Sequence, residues 1–146
     1  MAKKTKLDCD FCTIASGGSA VSVVDQTDSV LVLMDIQPVN PGHVLVIPRA
    51  HATYLADLDP AVGGEIFEAG MRVAAGLRRS GLRFEGVNFF LADGDAAGQE
   101  VFHLHLHVFP RFKGDAFGLR FGSEYGNHPA RAELDRDAAM IKAAMA

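Results

Sequence analysis

Cysteine occurs only twice in the 146 residues, at Cys9 and Cys12. A disulfide framework is therefore excluded, and the pair has to be redox-active, metal-binding or incidental. No apolar run approaches the roughly 20 residues needed to cross a bilayer, so no membrane partner is expected. The opening MAKKTKLDCDF is basic but lacks the apolar segment of a secretory signal. Residues 1–7 therefore read as a mobile tail, and the protein is expected in the cytoplasm. An excess of basic residues is missing too: the net charge of −4 gives no reason to expect duplex DNA or RNA. A small anionic substrate stays open where a site is locally positive. No internal repeat or low-complexity segment is visible.

What is present is the composition of a globular chain, with 49% hydrophobic and 22% charged residues. The length suits one domain with one core, over residues 8–146. Aliphatic and β-branched runs predict strands near 21–25, 29–35 and 43–47, separated by Asp, Asn, Pro and Gly. Ile66, Phe67, Met71, Ala74, Ala75 and Leu77 lie close to helical spacing between Pro60 and Ser80, and Gly81 follows, so one long helix is predicted there. FEGVNFFLA (84–92) and VFHLHLHVF (101–109) read as two paired strands, with DGDAAGQ as the hairpin loop between them. A last helix is predicted from Pro129 to the C-terminus.

The second of those strands places His103, His105 and His107 on one face and Leu104, Leu106 and Val108 on the other. The leucine face is core. The rings stand about 6.6 Å apart along the strand, close enough to share an anion or a metal. Three readings compete: a solvated sheet face, a three-imidazole metal centre, or one neutral imidazole acting as nucleophile with the others orienting it.

HLHLHVF resembles the alternating signature of the histidine triad (HIT) family of nucleotide hydrolases and transferases. MDIQPVNPGHVLVIPRAH (34–51) is similar to the family's second block, DGDAAGQEV to the loop before the triad, and CDFCTI to the start of prokaryotic members. The resemblance spans residues 8–112, and the order of these motifs is more specific than any one of them.

The resemblance implies cleavage at the α-phosphate of a nucleotide through a covalent nucleotidyl-histidine. His105 would be the nucleophile; an imidazole with an ordinary pKa of about 6.5 suits that role, because it is neutral at cellular pH. His107 would lie against the phosphate and leaving group, and His43 would orient the triad. Gly98 and Gln99 match positions that hold the phosphate. Glu100 stands where several members have Ser or Thr, and Ala92 where some have Asn or Gln, which leaves the Glu100 amide as the group able to serve there. Asp35 would accept from the ribose hydroxyls. Phe11, Ile14, Leu33 and Ile36 match the wall around the base, with ordinary core as the alternative for each. Cys9, Cys12, His51 and His103 match the zinc ligands of prokaryotic members. That site would be closed, hence structural, with no metal required for the chemistry.

The expectation is thus an α+β, HIT-like fold: an antiparallel sheet of about five strands, one long helix packed on it and a C-terminal helix. The resemblance further implies a homodimer acting on a purine nucleotide. A dinucleoside polyphosphate of the Ap4A type is the first substrate. A purine nucleoside phosphoramidate is the alternative, and phosphorylase chemistry a variant of either. Arg111 and Lys113 favour the polyphosphate if they reach additional phosphates, and Arg49 shares that ambiguity with a surface charge. Two rivals come from other classes: a metal-dependent hydrolase using all three histidines, and a nucleotide-binding protein with little turnover.

Overall fold

The structure, a computed structural model, describes residues 8–146; the tail predicted over 1–7 lies outside the described residues. Two compact units emerge, one running through Ala116 and the other spanning Phe117–Ala146.

The first unit is built on a five-stranded antiparallel sheet: β1 (Val23–Gln26), β2 (Val30–Met34), β3 (Val44–Pro48), β4 (Gly86–Leu91) and β5 (Leu106–Arg111), in spatial order β1-β2-β3-β5-β4. The turn between β1 and β2 forms because the Thr27 hydroxyl accepts from the amides of Ser29 and Val30. β2 and β3 are apolar on both faces, and both faces are covered. Val30, Val32, Val44 and Val46 pack on one side with Leu106 and Val108. Leu31, Leu33, Leu45 and Ile47 pack on the other with Phe11, Ile14 and Val21. Each such side chain contributes about 1.5–3 kcal/mol on full burial.

Helix α2 (Pro60–Arg79) covers the valine side. It starts where the Asp59 carboxylate accepts from the Ala61 amide at 2.9 Å with Pro60 in the first turn, and its last turn carries Arg78 and Arg79. Ile66, Ala69, Gly70, Val73 and Leu77 form its buried stripe. Gly70 is required by close approach: a Cβ there would stand 3.0 Å from the Phe89 ring and 3.1 Å from Leu106. The opposite side of the sheet receives a short helix, α1 (Asp10–Ala15), whose N-terminus is capped by Cys9 Sγ accepting from the Cys12 amide. The sequence reading contained no such helix.

The strand predicted over 101–109 begins at Leu106 instead, and the link from β4 runs through residues 92–105 with a 3₁₀ turn at Asp95–Ala97. The reason is local. Leu104 donates its N–H to Ala52 O at 2.7 Å, outside the sheet, and the His103 ring is drawn toward the cysteines. The alternation survives: Leu104, Leu106 and Val108 are buried, and His107 lies opposite Leu45 and Phe90. Directly paired residues share a face. His107 is therefore on the side away from α2, where α1 sits.

In the second unit, helix α3 (Arg131–Ala144) is preceded by a stacked Phe121–Tyr125 pair, centroids 3.9 Å apart. Among the described residues no helix is long and apolar enough to cross a membrane.

Candidate active site and metal cluster

On the α1 side of the sheet lies a cleft of about 540 Å³. Phe11 and Ile14 of α1, Leu33 and Asp35 from the end of β2, the Gly98–Val101 segment, His105 and His107 line it. Ile36 lies on its rim, almost wholly exposed, whereas Leu33 is core that only edges the cleft.

The ring protons of the histidines follow from neighbours that can only donate or only accept. The Val39 amide donates to His43 Nδ1 at 3.0 Å, so neutral His43 carries its proton on Nε2. That nitrogen is 2.9 Å from His107 Nδ1, which must accept, leaving the His107 proton on Nε2. His105 Nδ1 lies 2.9 Å from the His103 carbonyl and must donate, which leaves a lone pair on His105 Nε2. His103 Nε2 donates to the Pro48 carbonyl at 2.8 Å, so its Nδ1 carries a lone pair.

Burial keeps these rings neutral. It lowers His105 and His43 below the usual imidazole value, against the pull of Asp35. Burial first, then the neighbouring His105 and His43, bring His107 down to about 4. Burial also brings His103 to about 4. Asp35 holds the Gln37 amide through Oδ1 at 2.8 Å, with Oδ2 3.4 Å from His43 Nε2 and 3.8 Å from His107 Nδ1.

The Gly98–Glu100 segment differs from its sequence reading. Gln99 is buried, and its side chain accepts from the Gly94 amide and donates to the carbonyls of Thr53 and Val101. That amide braces the loop and offers no donor to the cleft. The backbone N–H groups of Gly98 and Gln99 are likewise engaged, with Asp95 and Gly94. The Glu100 amide, by contrast, meets no acceptor among the described residues and borders the cleft.

Nor do the arginines reach the cleft. Arg111 is bidentate to Asp115, at 2.6 and 2.7 Å, and bonds Asn88. Arg49 joins Ala15 O, Thr27 O and Gln26. Of the two readings left open for Arg111, phosphate contact or surface charge, the structure favours the second, because its i+4 carboxylate captures it.

Cys9, Cys12, His51 and His103 converge so that their donor atoms lie within 4.8 Å of one another. Cys12 Sγ is 3.3 Å from His51 Nδ1 and 3.5 Å from His103 Nδ1, and Cys9 Sγ is 3.4 Å from His103 Nδ1. A tetrahedron with zinc–sulfur legs of about 2.3 Å and zinc–nitrogen legs of about 2.05 Å has S–N edges of about 3.6 Å. The separations match, and His103 Nδ1 carries the lone pair a ligand needs. The far nitrogens are held by Pro48 O and, at 3.2 Å, by the Thr53 hydroxyl. The four residues could hold a metal ion.

Asp35, His43 and His107 also gather within 4.8 Å. There the His43 lone pair points at the Val39 amide, so a metal on Nε2 would have to break that bond. The triad does not converge on one point, because His103 turns to the cysteines while His105 opens on the cleft. This geometry disfavours the three-histidine catalytic metal.

A profile of the HIT domain matches residues 18–114. An uncharacterised HIT-like protein of Borreliella burgdorferi is 38% identical over 118 residues, covering 80% of this chain and 85% of its own. The crystal structure of a HIT family protein from Bacillus anthracis superposes with a TM-score of 0.85 at 33% identity, covering 94% of this chain and 96% of its own. A zinc-bound histidine triad family protein from Mycobacterium smegmatis does so at 0.74 and 36%, covering 96% and 99%. The chain belongs to the HIT family, a group of nucleotide hydrolases and transferases.

Val39, Thr53, Pro48 and Asn40 were absent from the sequence reading. The first three act largely through backbone groups or a second contact layer, which spacing does not reveal. Asn40, 7% exposed in the NPG turn, carried a signal in its type and place.

Proposed function

We propose that the protein is a nucleotide hydrolase that works at an α-phosphorus through a nucleotidyl-His105 intermediate. One observation carries this reading: the His105 Nδ1 bond to the His103 carbonyl leaves Nε2 with a lone pair, on a half-buried ring that burial keeps neutral and that lines the cleft. Nε2 attacks phosphorus, a P–N(His) bond forms and the bond to the leaving group breaks. His107 Nε2–H faces the departing atom and stabilises its developing charge. Water then attacks phosphorus as the P–N(His105) bond breaks. Its proton replaces at His107 Nε2 any proton taken by the leaving group and otherwise passes to solvent, which releases the nucleoside monophosphate and returns both neutral rings. In this reading the Glu100 amide holds a non-bridging oxygen, Asp35 the ribose, and Phe11 and Ile36 the purine, supported by their place on the cleft lining.

Zinc at Cys9, Cys12, His51 and His103 would supply a fixed cross-link between α1 and the triad segment. Both thiols and both imidazoles suit that ion. Pairing of two copies through β4 and α2 is favoured by the exposure of Phe67, Met71 and Phe90, which lie on the free edge strand and its neighbouring helix. A cytoplasmic setting is consistent with Cys9 and Cys12 being thiols rather than a disulfide.

A dinucleoside polyphosphate is the first substrate to test. A nucleoside phosphoramidate is the second reading, and a specific observation favours it: among the described residues no Lys or Arg lines the cleft, whereas Asp10, Asp35 and Glu100 do. The test is product analysis with a diadenosine tetraphosphate, an adenosine phosphoramidate and added phosphate, beside trapping of radiolabelled nucleotide on the zinc-loaded protein by a denaturing alkaline quench, in which a P–N(His) bond survives. Label retained on His105 supports the reading. Turnover without any adduct, together with a fully active His105→Ala protein, overturns it.

A further inference from the structure

The loop Pro38–Gly42 is fastened to the end of β5, the strand that carries His107. Asn40 is buried, and both N–H bonds of its side chain are engaged, with Pro110 O at 2.9 Å and Asp115 Oδ2 at 2.9 Å. The backbone carbonyl of Asn40 accepts from the His43 amide at 3.1 Å. Asp115 is in turn held by the Arg111 guanidinium and by the Phe112 amide at 3.3 Å. Asn40 therefore sits between two groups that matter: Val39, whose N–H is aimed at His43 Nδ1, and β5, which presents His107 to His43.

The consequence is a choice of tautomer. With the Val39 amide in place, His43 Nε2–H donates a hydrogen bond to His107 Nδ1, and His107 shows an N–H to the cleft. With that amide displaced, neutral His43 is free to carry its proton on Nδ1. His107 then donates from Nδ1 to His43 and turns a bare Nε2 toward the departing atom. The first arrangement supplies a donor to a leaving group that needs one; the second offers only a lone pair.

We propose that Asn40, backed by Asp115, is a positioning residue that fixes the His107 proton on its cleft-facing nitrogen. The proposal rests on the reading of His107 as the group facing the leaving atom.

The test uses the full-length, zinc-loaded protein with ¹⁵N-labelled histidine, comparing wild type with Asn40→Ala, Asn40→Ser and Asp115→Asn. Two-bond ¹⁵N–¹H correlation spectra report the tautomers of His43 and His107. Turnover is measured on two adenylates that differ only in leaving group: p-nitrophenolate, which departs unaided, and an alkylamine, which needs a proton. The expected wild-type pattern is Nε2–H on both rings, and its loss in Asn40→Ala. With it, kcat on the alkylamine should fall on the order of 10²-fold, kcat on p-nitrophenolate should fall by no more than about threefold, and KM should change similarly for both. A merely structural role would depress both substrates equally. Equal losses with unchanged tautomers, or a wild-type His107 protonated on Nδ1, overturn the proposal. Should Asn40→Ala fail to fold, Asn40→Ser and Asp115→Asn carry the same expectation. A wild type that cleaves neither adenylate, yet shows the tautomer pattern and loses it in the variants, would support the clamp and sink the proposed hydrolase instead.

Discussion

Phe11 stands edge-on to His105, with ring centroids 5.2 Å apart and planes at 81°, and makes a similar contact with His103 at 5.7 Å and 86°. One side chain of α1 thus touches both the candidate nucleophile and a candidate metal ligand. α1 has six residues, too few to hold helical structure unaided. Its order depends on what anchors it: Cys9 and Cys12 in the Cys–His cluster, and Phe11 and Ile14 against the leucine side of the sheet.

Metal removal should therefore reach the nucleotide cleft. Dialysis against a strong chelator is expected to lower the melting temperature on the order of 10 °C, since a ligand held well above its Kd stabilises by several kcal/mol. Adenine nucleotide affinity, read by calorimetry, should weaken several-fold as the Phe11 wall loosens. Zinc should restore both. A melting temperature indifferent to chelator would remove the metal from this cluster.

Much of this arrangement was legible in the sequence, and the rest was hidden for identifiable reasons. The β2 and β3 strands announced themselves as β-branched runs broken by turn residues, and the buried Leu104 and Leu106 follow from alternation alone. The Cys–His cluster came from a family likeness, because C-x-x-C spacing by itself left three readings. What local sequence could not convey were partners brought in from afar. Ala52 O takes the Leu104 amide, so that β5 begins only at Leu106. Asp115 turns back to take Arg111 away from any phosphate. Gln99 braces its own loop through Thr53, contacting a residue 46 positions earlier.

Removal of the nucleophile should separate chemistry from binding. His105→Ala is expected to lose at least ~10³-fold in kcat, as when a covalent catalyst's nucleophile is deleted, with nucleotide affinity kept within several-fold. Rapid-quench kinetics and calorimetry on the same preparation check both halves. Retained turnover would return the candidate intermediate to the drawing board.

Stability should depend on pH through the buried imidazoles. His107 is held at about 4 in the folded chain against about 6.5 when unfolded. Between those values the unfolded chain binds more protons, so stability is full above about pH 6.5 and falls as pH drops toward 4. The difference caps the His107 contribution at about 3 kcal/mol. Melting curves from pH 7.5 to 4.5 should show the decline, and His107→Gln should flatten it; parallel curves would assign it to other groups.

Two glycine substitutions should act with opposite sign. Gly42 has φ +98°, and a Cβ there would stand 3.0 Å from Leu77, 3.1 Å from Leu82 and 3.3 Å from Pro110. Both the left-handed backbone and the contacts oppose a side chain, so Gly42→Ala should cost about 1–3 kcal/mol. It should also lower turnover, because His43 is the next residue and its bonds to Val39 and His107 tolerate little displacement. Gly64 sits on the exposed side of α2 with open space at its Cβ. Gly64→Ala should stabilise by about 0.5–1 kcal/mol, because alanine loses less backbone freedom in a helix. Urea midpoints for the two variants measure the pair. A Gly64→Ala midpoint at or below that of the wild type would overturn the second expectation.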